Sequence, residues 1–206
     1  RAFAPTYHPE RLMEPARLRK AAKIFVCSAA DLFGRGVFGF RIRSVANAMM
    51  DDQRHTYQVL TKRPDEHRVW EGFFPRRTWR GATATDQTSW DRACTALRPL
   101  VGIRWISAEP LLRRIELGDW VPDWVVIGLL TPWKPGPEGL WAAQLMEDLR
   151  ARGVPVFVKS SVHGIHGINC REWPTPPTVC GPHAEQSSSG ECCDEAAMRL
   201  RDRRWT

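Results

Sequence analysis

The 206-residue sequence has no long apolar run, no basic-then-apolar signal segment and no initiating Met. Its longest apolar run, 124–130, falls well short of the roughly 18 residues of a membrane span, so we expect no membrane association. Because no secretory signal is present, we expect reduced thiols and a cytoplasmic location. The opening Arg1-Ala2-Phe3 resembles the middle of a strand, which indicates that the chain is a fragment.

Acidic residues are fewer than basic ones, 23 against 30, which gives a formal net charge of +7. A positive chain is attracted to phosphates and other anions. The basic residues are scattered, however, and no recognisable nucleic-acid motif accompanies them. An arginine-biased composition explains the charge more simply, so it gives a nucleic-acid partner only weak support.

Apolar strand-like runs alternate with helical patterns over residues 1–160. The patterns predict strands at 2–7, 23–27, 56–60, 78–84, 102–106, 124–127 and 154–158, and helices at 42–50, 90–100 and 140–150. Asp86, Thr88 or Ser89 is available to cap the second helix. Continuous apolar strands with helices between them indicate parallel βαβ units. About seven strands favour a (β/α) barrel of the TIM type, incomplete at its N-terminus. A doubly wound sheet is the alternative, but no Gly-rich dinucleotide loop follows any strand.

Residues 161–206 differ in character, being dense in Gly, Pro, His and Cys, and we predict a loosely ordered tail. Several tail residues could act as zinc ligands: Cys170, Cys180, His183, Cys192 and Cys193, with His163 and His166 nearby. No tight Cys-x-x-Cys pair is present to bring two thiolates to one ion. Free thiols are therefore favoured, and we predict no metal site.

Polar residues follow the predicted strands, where a β/α barrel carries its functional groups. The residues predicted to line this mouth are Ser28, Asp31, Thr61, Lys62, Arg63, Asp86, Gln87, Ser107, Glu109 and Lys159. An acid facing bases suits a zwitterionic ligand, whose amine would bind Glu109 and whose carboxylate would bind Lys62 and Arg63. Equally, these charges could pair with each other and hold the rim together. Among the histidines, His8 is favoured for function because it also follows a predicted strand.

Several of these segments together resemble a phage and bacterial family of unknown function related to the radical-SAM enzymes. The similar segments are 7–12 (YHPERL), 28–33 (SAADLF), 58–64 (QVLTKRP), 81–87 (GATATDQ), 107–112 (SAEPLL), 123–128 (DWVVIG) and 153–159 (GVPVFVK). They occur in order over roughly residues 3–160.

The resemblance implies a barrel that holds an iron–sulfur cluster and binds S-adenosylmethionine at its mouth. The ten predicted mouth residues would then bind the cofactor, with Lys159 on an anion or carbonyl group. The cluster's three closely spaced cysteines would lie upstream of Arg1. Two departures stand out: Gly128-Leu129-Leu130-Thr131-Pro132-Trp133 replaces a flexible acidic loop of the family, and Ser160 replaces an expected Gln.

We therefore expect a radical-SAM-like barrel protein of unknown substrate, inactive in radical chemistry as this fragment because the cluster cysteines are missing. One alternative is a non-enzymatic, phage-derived nucleic-acid-binding barrel that uses arginines on phosphates. Another is a decayed gene fragment that does not fold independently, because an absent strand would leave apolar surface uncovered.

Overall fold

Six strands lie side by side in chain order in one parallel sheet. The computed structural model describes residues 5–130, 136–162 and 170–175. The strands are β1 Lys23–Val26, β2 Thr56–Thr61, β3 Trp79–Thr83, β4 Arg104–Ala108, β5 Trp124–Ile127 and β6 Val156–Val158. Residues 1–176 form one compact unit, and a second, 177–206, lies outside the described residues.

The sheet is curled into a half-barrel. β1 and β4 are three strand spacings apart, which would be about 14 Å in a flat sheet. The rings of Phe25 on β1 and Trp105 on β4 nevertheless lie only 6.3 Å apart. Trp79 and Trp124, two strands apart, are 5.7 Å apart on the same side. These contacts define the concave face, which corresponds to a barrel interior.

Helices cover the convex face. They are α1 Gly39–Asp51, α2 Glu66–Val69, α3 Gln87–Leu97 and α4 Glu138–Ala151, with 3₁₀ turns at Pro9–Arg11, Pro15–Arg17, Glu71–Phe73 and Ser160–Val162. The apolar periodicity of α3 buries Trp90, Ala93 and Leu97 against the sheet. Because successive strand residues point to opposite faces, Ala82, Ile106, Val125 and Val156 meet these helices, while the tryptophans enter the concave face.

Six residues of the predicted tail, 170–175, pack against the sheet. The amide of Val158 donates to the carbonyl of Cys170 at 2.7 Å, and the amide of Glu172 donates to the carbonyl of Val156 at 2.9 Å. The segment thereby satisfies the free edge of β6, which would otherwise present unpaired amides and carbonyls. Trp173 then folds onto the concave face and stacks on Trp124, with centroids 4.9 Å apart. The remainder of the tail, apart from Ser161 and Val162, lies outside the described residues.

Seven strands were predicted, and the described residues contain six. Residues 5–8 of the predicted first strand region are irregular, and 1–4 lie outside the described residues. Pro5 has no amide hydrogen for a ladder, and its carbonyl instead accepts a hydrogen bond from Arg41 at 3.3 Å. The predicted buried strand at 23–27 is only partly buried because β1 is an edge strand, and it ends before Cys27, whose φ is +56°. Among the described residues the barrel is therefore partial, not closed.

Candidate functional site

An aromatic floor fills the concave face below the carboxyl ends of the strands. Gly81 on β3 pairs in register with Trp105, and a Cβ on Gly81 would lie 2.3 Å from the indole Cε2. The missing side chain lets the indole lie across β3 towards Phe25. Trp124 and Phe157 continue the floor on β5 and β6, 6.4 Å apart. Trp79, Trp105 and Trp124 are only 3–4% exposed, so the rings of this floor pack mainly against one another.

An ion pair spans the mouth above this floor. The ammonium of Lys159, directly after β6, lies 2.5 Å from Oε2 of Glu109, directly after β4. Gly128, after β5, lies between them in strand order. A Cβ on Gly128 would be 2.7 Å from Oε1 of Glu109, so only glycine leaves room for the carboxylate at this position. The sequence left open whether Glu109 pairs with a basic residue of the rim or binds a ligand. In the structure Glu109 forms an ion pair, and its partner is Lys159 rather than Lys62 or Arg63.

Three other predicted mouth residues present groups without a side-chain partner among the described residues. Ser107 is 3% exposed and lies on the concave side of β4, paired in register with Thr83 and Val126. Lys62 directly follows β2 and is exposed. Ser28 is exposed beyond β1. Lys62 and Ser107 thus lie on the same edge as the ion pair.

Asp31, Thr61 and Arg63 form a hydrogen-bonded staple between the β1 and β2 loops. The Asp31 carboxylate accepts from the Phe33 amide at 3.0 Å, the Thr61 hydroxyl at 3.0 Å and the Lys62 amide at 2.8 Å. Thr61 in turn accepts from the Arg63 amide, and the Arg63 guanidinium donates to the Phe33 carbonyl at 2.8 Å. These local hydrogen bonds join the two loops and shape the rim.

Asp86 and Gln87 also have local partners. Asp86 is the N-cap of α3 and forms a capping box with Ser89, whose amide donates to Oδ1 at 2.9 Å. These hydrogen bonds with Ser89, through its hydroxyl first and its amide second, lower the pKa of Asp86. The Gln87 amide group donates to the Glu116 carbonyl and accepts from the Glu116 amide at 2.7 Å. Capping and loop anchoring account for both residues.

The thiols do not converge on a metal site. Cys27 packs in a hydrophobic cluster that includes the buried residues of α1. Cys94 and Cys170 belong to another cluster, which includes the buried residues of α3 and α4. Burial raises the pKa of all three thiols, that of Cys94 to about 12, which disfavours thiolates. Within 5–130, 136–162 and 170–175, no group of three His, Cys, Asp or Glu residues could hold a metal ion. The predicted tail ligands Cys180, His183, Cys192 and Cys193, with His163 and His166, lie outside the described residues.

His8, the histidine favoured from the sequence, directly follows irregular backbone at residues 5–7 rather than a strand. It precedes the 3₁₀ turn Pro9–Arg11, and its Nδ1 lies 2.9 Å from a Glu10 carboxylate oxygen on an exposed surface. Sequence reasoning instead missed Gly81 and Gly128, which create the space for Trp105 and Glu109. Their signal was a glycine inside one predicted strand, Gly81, and a glycine directly after another, Gly128, where a close approach of another group is common.

The architecture defines an α/β protein built on a parallel half-barrel, with an acid–base pair and one further lysine on its rim. None of the described helices has the length and hydropathy of a membrane span. A family model described as "Protein of unknown function (DUF5131)" matches residues 2–172, and the chain belongs to that family. No curated protein and no solved structure matches the chain significantly.

Proposed function

We propose that this chain is a radical-SAM-like barrel domain whose rim binds S-adenosylmethionine or a ligand of the same chemistry. The observation that carries the proposal is the Glu109–Lys159 pair above the aromatic floor. An amino-acid ligand would exchange this pair for two new ones, its ammonium on Glu109 and its carboxylate on Lys159. Lys62 adds a second positive charge for the carboxylate. The adenine ring would lie in the concave face above the buried Trp105.

The described residues do not fit the iron–sulfur cluster that the resemblance implies. Cys27 lies in a different hydrophobic cluster from Cys94 and Cys170, and the pKa values of all three thiols are raised rather than lowered. We therefore assign no radical step to these residues. The proposed role of the rim residues is to bind, orient and shield a ligand.

Calorimetric titration of the chain with S-adenosylmethionine tests the proposal. We expect binding by the native chain, and a loss of affinity of about 10- to 100-fold in Glu109→Gln, because a hydrogen bond to a charged group contributes about 1.5–3 kcal/mol. Glu147→Gln is the matched control, since Glu147 is exposed on α4. If Glu109→Gln lowers only the unfolding temperature and the native chain binds no ligand, the pair merely holds the rim together.

A second variant tests the same geometry from the other side. Gly128→Ala places a Cβ against the Glu109 carboxylate and should displace it, weakening ligand binding to the same degree as Glu109→Gln. Gly118→Ala is the control, because no heavy atom lies within 4 Å of its added Cβ. Equal affinities in the two alanine variants would contradict the proposed role of Glu109.

The competing expectation, a decayed chain that does not fold, is tested with the same sample. A core that buries Trp90, Leu97, Leu145 and Leu149 should melt cooperatively from a monodisperse monomer. Scanning calorimetry and light scattering measure both properties. A broad, non-cooperative trace from an aggregated sample would support decay.

A further inference from the structure

An exposed group of aromatic rings surrounds one guanidinium at the start of α1. We name Tyr7, Phe38, Phe40 and Arg41 the aromatic platform. Phe38 and Phe40 are each 61% exposed, and their rings are nearly parallel, at 17° with centroids 6.1 Å apart. Tyr7 meets Phe40 edge to face at 6.2 Å. The Arg41 guanidinium carbon lies 5.3–5.6 Å from all three ring centroids.

The local sequence holds these rings outward. α1 buries Ile42, Ala46 and Met49 against the sheet, so the phenylalanines at its start are on another side. Gly39 separates the two phenylalanines and packs closely on Trp70: a Cβ there would lie 3.5 Å from the indole. The core therefore does not explain the two exposed rings, and grouped exposed aromatics commonly mark an interaction site.

Three arginines lie on or near the platform, and none of them forms an ion pair with an acidic side chain among the described residues. Arg41 bonds only to the Pro5 carbonyl, at 3.3 Å, and its Nε has no hydrogen-bond partner among the described residues. Arg43 is exposed, with its guanidinium 4.9 Å from the Phe73 ring. Arg35, also exposed, is close in sequence. Within the described part of the chain, none of these three arginines has an ion-pair partner.

The start of α1 adds to this positive potential. Phe38 is its N-cap residue, and no side chain caps the helix there. The first amide groups of a helix point outward at its N-terminus, where the helix dipole favours an anion. In α1 they lie within the platform, beside the rings and Arg41. Apolar ring faces and an anion-attracting end therefore occupy one surface.

We propose that the aromatic platform binds single-stranded nucleic acid. Exposed bases would stack on Phe38 and Phe40, and Arg41, Arg43 and the start of α1 would receive the backbone phosphates. A duplex fits poorly because its base faces are hidden inside the stack. An apolar protein partner is disfavoured because the guanidinium of Arg41 lies at the centre of the rings. The proposal is independent of ligand binding at the mouth, so either can fail alone.

Fluorescence anisotropy with labelled oligonucleotides tests it. Single strands of about 15 nucleotides, as DNA and as RNA, are compared with the matching duplex. The native chain should prefer single strands. A double variant, Phe38→Ala with Phe40→Ala, should weaken binding by roughly 10- to 100-fold, because stacking on each ring is lost. Arg41→Gln should also weaken binding and reduce the slope of log affinity against log salt by about 0.7.

Two matched controls separate the platform from general effects. Leu140→Ala removes an apolar side chain that is 59% exposed on α4, and Arg77→Gln removes one exposed positive charge elsewhere. Both should bind like the native chain. Undiminished binding by the double phenylalanine variant would overturn the proposal, as would equal affinity for duplex. A native dimer that this variant dissociates in sedimentation velocity, with no oligonucleotide binding, would identify a self-association surface instead.

Discussion

His67 should make the stability of this protein depend on pH between about 4 and 6.5. The imidazole is 1% exposed beneath β3, with its Nε2 2.9 Å from the Gly81 carbonyl and its ring 5.3 Å from that of Phe33. Burial lowers its pKa from 6.5 to about 4, and the nearby positive charge of Arg80 acts in the same direction. The histidine is therefore neutral in the folded protein and donates its Nε2 hydrogen to Gly81.

The sign follows from which state binds the proton. Between pH 6.5 and pH 4 the unfolded chain protonates His67 and the folded chain does not, so stability falls as pH falls through this window. Each pH unit within it changes the free energy of unfolding by up to about 1.4 kcal/mol. The full 2.5-unit shift, 6.5 minus 4, corresponds to roughly 3 kcal/mol, of which about 2 kcal/mol is lost between pH 7.5 and pH 5.

Urea unfolding at several pH values between 7.5 and 5 measures this slope. In His67→Gln the slope should become much flatter, although the variant is less stable at every pH because a buried side chain has changed. A His8→Gln variant, altered at an exposed histidine, should keep the native slope. A native chain equally stable at pH 7.5 and pH 5, or a His67→Gln chain with the native slope, would refute the reasoning. An NMR titration of His67 measures its pKa directly.

Two further changes test the packing that shapes the mouth. Gly81→Ala forces a Cβ into the Trp105 indole and should cost about 1–3 kcal/mol of unfolding free energy by urea titration, whereas Gly72→Ala, with open space around it, should not incur this steric cost. Asp86→Ala removes the N-cap of α3 and should cost about 0.5–2 kcal/mol, against little change for exposed Asp119→Ala. An unchanged stability in Gly81→Ala would mean that Trp105 moves aside freely, and an unchanged stability in Asp86→Ala would mean that water replaces the cap.

The rim and the aromatic platform divide the candidate functions of the chain. The rim contains an opposed acid and base above rings, which suits a small zwitterionic ligand with a planar part. The platform contains exposed rings around an unpaired guanidinium, which suits a flexible polyanion with exposed bases. Calorimetry with S-adenosylmethionine and anisotropy with oligonucleotides address the two surfaces separately, so a negative result for one leaves the other testable.

Local sequence patterns were sufficient for the regular elements. The apolar run at 124–127 predicted β5 with its observed bounds, and Asp86 was among three candidates for the cap that it forms on α3. The parallel direction of the strands was also predictable. A helical segment between two apolar strands acts as a crossover, which lets neighbouring strands run in the same direction. Residues 5–7 of the predicted strand at 2–7 are irregular, because an apolar segment becomes a strand only where a neighbouring strand accepts its hydrogen bonds, and propensity does not supply that neighbour.

The three-dimensional packing determines which of the predicted mouth residues already have local hydrogen-bond partners. The sequence predicted ten polar residues near the carboxyl ends of strands. Position along the chain does not distinguish residues that bond to their neighbours from residues that do not. Packing assigned Asp31, Thr61 and Arg63 to a staple and Asp86 to a helix cap, while it brought Glu109 and Lys159 together across 50 residues of chain. Hydrogen bonds depend on distances of a few tenths of an ångström, and those distances are set by the curl of the whole sheet rather than by local sequence.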